Sequence, residues 1–190
     1  MTKKQFWQGA SNWGFLGGAA LFAVNIVGWA LRLETSATWL YELLVFVIVC
    51  PLIIYTGRRN AAAAGSEGYS YSRAVGYVFA LMMFAGIVYG VGRFLMVNFI
   101  AREYYDAINA SAMESAMTVY RGTAMEAQMA EMRGTLVRML ANPFVLIVSA
   151  ILNLVIKGGF LGLLLGSFLK KNPDFFASGR VDEGGGEGAV

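Results

Sequence analysis

Apolar and polar positions along this chain fall into long blocks, and four apolar blocks are each long enough to cross a bilayer. They run about 9–31, 38–56, 74–100 and 142–169. Roughly 20 helical residues cover a hydrocarbon core of about 30 Å, so each block predicts a transmembrane helix. The first carries Ser11, Asn12 and Asn25, which predicts packing against protein rather than lipid all round. The second is the most apolar, with no charge from Leu43 to Tyr55. Pro51 lies within it and removes one backbone hydrogen bond, which predicts a kink.

Residues 101–141 are the one sizeable polar segment between spans, and their Ala, Met, Glu and Arg content favours helix. Met113 and Met117, then Met125, Met129 and Met132, recur at spacings of three and four, an apolar stripe at helical period. Gly122 is expected to divide the segment into two helices. The tail 172–190 contains Asp-Glu-Gly-Gly-Gly-Glu-Gly and reads as disordered. The fold class expected is all-α: an integral membrane four-helix bundle in 1–171, with an extra extracytoplasmic amphipathic helical segment between spans three and four.

Composition agrees with this pattern. The 190 residues are 57% hydrophobic and 14% charged, against about 45–50% and 25% in soluble domains. There is no histidine, and Cys50 is the only cysteine. An intramolecular disulfide and a Cys/His zinc site are therefore excluded. Lys3 and Lys4 precede an apolar stretch as in a signal peptide. The stretch from Trp7 to Leu31 exceeds the usual h-region, and no small-residue cleavage site follows it. It is read as a retained first span.

Lysines and arginines set the expected topology. Lys3, Lys4, Arg58, Arg59, Arg73, Lys170 and Lys171 fall on one side of a four-span chain. On the other side lie Arg32 with Glu34, and a segment where Glu103, Asp106, Glu114, Glu126 and Glu131 outweigh Arg102, Arg121, Arg133 and Arg138. Both termini are thus expected in the cytoplasm. The net charge of +3 follows from this arrangement and does not call for nucleic acid.

Glycines spaced by four recur in three spans: Gly14 and Gly18, Gly86 and Gly90, and Gly158, Gly162 and Gly166. Faces without side chains let helix backbones approach closely in lipid. Packing within the bundle is the preferred reading, and a homo-oligomer interface is the other. Three ionisable residues lie inside spans, and intramembrane charge marks a functional candidate. Glu42 and Arg93 match in depth near the outer ends of their spans and are expected to pair. Lys157, near the middle of span four on the face of Asn153, has no acidic partner visible at its depth. Asn25, Tyr77 and Tyr89 are its candidate polar neighbours.

The methionine stripe supplies soft thioether ligands of the kind copper(I) takes. Without accompanying histidine or cysteine it is read instead as adaptable apolar filler on a membrane or partner. No cofactor, metal or catalytic residue is expected. The chain has no histidine-based triad and no phosphate-binding glycine loop between strand and helix.

The order of parts resembles a family of small four-span bacterial membrane proteins, domain-of-unknown-function family 4199. Lys-Lys-Gln-Phe-Trp-Gln-Gly opens a glycine-rich first span. Tyr69-Ser70-Tyr71-Ser72-Arg73-Ala74 opens the third, and Asn98-Phe99-Ile100 with Tyr104-Tyr105-Asp106 closes it. Asn142-Pro143 leads into a glycine-rich last span ending in Lys170-Lys171. The likeness covers about 3–172. It departs at Ala101-Arg102, where an acidic-proline pair often precedes the tyrosines. The resemblance implies the fold and a place in the bacterial inner membrane, and no activity. The function expected is a non-enzymatic scaffold or accessory subunit in the bilayer, contacting a membrane-protein partner or another copy of itself. A small transporter or channel using Glu42, Arg93 and Lys157 is the alternative.

Overall fold

The computed structural model describes residues 2–33, 37–65, 68–124 and 141–172, with 128, 131, 132, 134, 135, 138 and 139 between the last two ranges. Glu34, Met125, Glu126, Met129, Arg133 and the tail beyond Asn172 lie outside the described residues, so the expectations placed on them are not addressed.

Among the described residues, five α-helices carry most of the regular structure. Helix α1 spans Lys3–Ala30, α2 Thr38–Ala63, α3 Tyr71–Leu95, α4 Arg102–Tyr120 and α5 Pro143–Leu169. A π-helical turn, Met96–Ile100, extends α3 without a break. Four helices are long and apolar enough to cross a membrane: α1, α2, α3 with its extension, and α5. Several begin where the sequence supplies a cap. The Thr2 hydroxyl accepts from the Gln5 amide while the Gln5 side chain returns to Thr2, a capping box. Ser70 caps α3, and Asn142 caps α5 ahead of Pro143 at the first helical position.

Helix α3 is central. Half of its apolar window is buried, against about 30% in the other three, because α1 and α5 pack on opposite flanks of it. Helix α2 closes the group by lying along α1 and touching α5. Thr56 in α2 donates to the Leu52 carbonyl at 2.7 Å, one turn past Pro51, and the helix continues through the proline to Ala63.

The start of α1, the end of α2, the start of α3 and the end of α5 meet at one end of the molecule. Gly9 faces Tyr77 and Asn60 there. Tyr69 and Lys171 also exchange backbone hydrogen bonds of 2.8 and 3.0 Å. This clasp buries Tyr69 completely, and burial pushes its phenol well above the ordinary value. Lysines and arginines flank the helices at this basic end. At the far end α4 follows α3 after a single residue, Ala101, in a non-helical conformation (φ −130°, ψ 35°). Helix α4 stops at Tyr120, and Gly122 turns the chain with φ +78°.

Candidate functional site

The three glycine faces are consumed inside the chain. A Cβ on Gly14 or Gly18 would fall 2.7 and 2.5 Å from the Leu81 and Ala85 carbonyl oxygens of α3. On the other flank, Gly86 and Gly90 would meet the Ile151 and Ile147 Cα atoms at 2.7 and 2.8 Å. Gly158, Gly162 and Gly166 receive Met82, Val78 and Tyr71 of α3. These distances are below van der Waals contact, so hydrogen is the only substituent that lets α1, α3 and α5 sit together. Further glycines do similar service without a spacing signal: Gly17 admits Leu52, Gly28 admits Tyr41 and Gly92 admits Phe22.

The intramembrane charges are brought together differently from the expected pairing. Lys157 Nζ lies 2.6 Å from Glu42 Oε2, so the acidic partner of Lys157 is Glu42 and not an absent group. The expected Glu42–Arg93 ion pair is not seen among the described residues. Helix register explains the difference. Glu42 is the fifth residue of α2 and Lys157 the fifteenth of α5, so aligning the two helices at their starts holds these residues far apart. Gly57 instead seats Leu169, and that register sets Glu42 beside Leu154, one turn from Lys157. A lysine leaning toward its helix N-terminus closes the remaining gap. Arg93 is half-buried in the last turn of α3, just before the π turn.

The pair is not enclosed. The Lys157 side chain keeps 32% of its surface exposed and Glu42 keeps 41%. The space behind Lys157, lined by Val45, Phe46, Val49 and Leu154 among others, is a cavity of about 10 Å³. That is about the minimum for a single water molecule.

Asn25 and Tyr89, expected near Lys157, belong to a separate polar cluster. Asn25 is fully buried. Its Nδ2 donates to Tyr41 Oη at 3.4 Å and to Tyr105 Oη at 3.3 Å. Tyr41 and Tyr89 share a hydroxyl–hydroxyl bond of 3.0 Å. One residue from each of α1, α2, α3 and α4 thus meets at this point. A second tie at the same end is Asn98, whose Nδ2 donates to the Phe94 and Ala141 carbonyls at 3.2 and 3.3 Å. The one signal available in the sequence was Asn25 in the middle of an apolar span.

Tyr77, the third expected neighbour of Lys157, stands instead at the basic end. It lines a cavity of about 550 Å³ between α1, α2 and α3, together with Gln5, Asn12, Trp13, Arg59 and Asn60. Tyr77 is 1% exposed and Asn60 8%. The Tyr77 hydroxyl lies beside the Asn60 and Thr56 side chains, but neither it nor the Asn60 amide nitrogen makes a well-aligned hydrogen bond. The Arg59 guanidinium carbon sits 5.8 Å from the centre of the Trp13 ring, within cation–π range. Sequence reading missed this site because its residues come from three helices and form no local motif.

No curated protein and no solved structure matches the chain. A family model described as "Protein of unknown function (DUF4199)" matches residues 12–171. That stretch takes in all or most of each of the four apolar helices and the glycines at which α1, α3 and α5 pack together. The chain therefore belongs to the DUF4199 family, as the order of its spans implied.

Proposed function

We propose that the protein is a non-enzymatic accessory subunit of a membrane complex, and that it presents the α2–α5 face around Glu42 and Lys157 to a partner's transmembrane helix. The observation that carries this reading is the outward exposure of an ion pair within two apolar helices. Each charge at a helix centre costs about 2.5–3.5 kcal/mol on insertion scales. A covering helix with a polar side chain lowers that cost; acyl chains do not. Because the glycine faces are taken up internally, recognition falls to this charged patch. The partner is a different membrane protein or a second copy, and nucleic acid has no part in it.

The membrane proposed is the bacterial inner membrane, with both termini in the cytoplasm. Support comes from the gathering of Lys3, Lys4, Arg58, Arg59, Arg73, Lys170 and Lys171 at one end of the helices. The transporter reading calls for a water-filled path to Lys157, and a cavity of about 10 Å³ speaks against it.

Phe46 is 43% exposed and lines the space beside Lys157, so a photo-crosslinking amino acid placed there tests the proposal in native membranes. A discrete crosslinked product is expected from Phe46. It should be lost in the Glu42→Gln, Lys157→Met double variant and absent when the probe stands at Phe15 of α1. A product of twice the chain's mass identifies a second copy. Lipid adducts alone at Phe46 would end the proposal.

A further inference from the structure

We infer that the basic-end cavity between α1, α2 and α3 binds the phosphate oxyanion of an anionic phospholipid headgroup. Three observations carry this. First, the cavity is lined by two buried polar groups, the Tyr77 hydroxyl and the Asn60 Nδ2, which lie beside one another without a well-aligned hydrogen bond. Buried groups of this kind find a partner in native proteins, and both can donate. Second, Arg59 is the only charged residue among the described residues that line the cavity, and none of them is acidic. A cation would find no counter-charge there, whereas an oxyanion would find a guanidinium and two buried donors lacking well-aligned acceptors, with Gln5 and Asn12 also in the lining. Third, Arg59 also borders an apolar groove on α2 formed with Pro51, Ile54, Tyr55 and Arg58. A lipid can lay an acyl chain along that groove while its headgroup enters the cavity. The volume of about 550 Å³ is of the size that takes a headgroup, and it lies at the basic end, where anionic headgroups gather around lysine and arginine.

Gly9 keeps the cavity open. A Cβ there would reach the Tyr77 hydroxyl at 3.6 Å and Asn60 Oδ1 at 3.8 Å, ordinary contact distances, so a larger side chain would project into the space without meeting backbone.

The test uses the full-length protein in a neutral detergent. Bound ligand is counted by native mass spectrometry during titration with dioctanoyl phosphatidylglycerol, dioctanoyl phosphatidylcholine and glycerol phosphate. Saturable binding of phosphatidylglycerol is expected, at least tenfold tighter than phosphatidylcholine. Arg59→Gln and Gly9→Leu should each weaken it about tenfold, Tyr77→Phe severalfold, and Arg73→Gln, outside the cavity, less than twofold. Retained helical circular dichroism in each variant separates lost binding from lost fold. Glycerol phosphate binding as tightly as the lipid would keep the oxyanion site but overturn the lipid as its source. Equal binding of the two lipids, or affinities that ignore Arg59→Gln and Gly9→Leu alike, would mean that the cavity holds only water, and the inference fails.

Discussion

The Lys157 ammonium reaches Glu42 Oε2 at 2.6 Å from a helix that touches α2 along only part of its length. The two residues are 115 positions apart in the chain, and no local pattern in either span announces the contact. It rests on Leu169 filling the notch left by Gly57, which sets the register of α5 against α2.

Neutralising one member of the pair should cost more than neutralising both. Glu42→Gln leaves Lys157 facing hydrocarbon, at about 2.5–3.5 kcal/mol on insertion scales. The Glu42→Gln, Lys157→Met double variant should be more stable than the sum of the singles by about 1–3 kcal/mol, the usual coupling of contacting residues. Unfolding in mixed micelles measures the cycle. Glu42→Gln combined with Arg93→Gln should be simply additive, and strong coupling there would restore the pairing expected from depth.

Glycine substitutions should divide by what the new Cβ meets. Gly90→Ala drives a methyl group toward Ile147 Cα and should cost about 1–3 kcal/mol, as overpacking does. Gly76→Ala meets nothing within 4 Å and should be neutral or gain up to about 1 kcal/mol from helix propensity. Thermal midpoints in one detergent rank the two. Equal midpoints would show that α3 does not pack on α5 through Gly90.

Breaking the far-end polar cluster should loosen α4. Tyr105 is 3% exposed and joins α4 to Asn25 of α1. Tyr105→Phe removes that link at a cost of about 1–3 kcal/mol, since a partner of Asn25 is lost in a buried place. Hydrogen exchange over Arg102–Tyr120 should quicken while that of α3 stays slow. Unchanged protection in α4 would mean that Met113 and neighbouring apolar contacts hold the helix alone.

Orientation is checked with single cysteines on a Cys50→Ser background. In intact cells an impermeant maleimide should label Ala124→Cys and spare Ala63→Cys, because lysine and arginine bias keeps the basic end inside. The reverse labelling pattern would invert the topology.

Much of the architecture was legible before any coordinates. Length and hydropathy mark four membrane-length helices because a bilayer leaves the backbone no partner but itself. Gly14, Gly86 and Gly162 mark close packing because the spacing of four survives in sequence. All these signals act within a few residues of the chain.

The pairings could not be read this way. Whether Glu42 meets Arg93 or Lys157, whether Asn25 and Tyr89 serve the lysine or each other's neighbours, and that Tyr77 and Asn60 share a cavity are matters of helix rotation and register. Those are set by many shallow van der Waals fits, such as Leu169 into Gly57 and Leu52 against Gly17. Each fit is weak and involves residues far apart in sequence. The sequence by itself determined that four helices are long and apolar enough to cross a membrane and which glycines let them pack closely. Only the tertiary structure decided which polar side chains meet, because in an apolar medium the partner of a charge is chosen by steric register and not by the pattern around it.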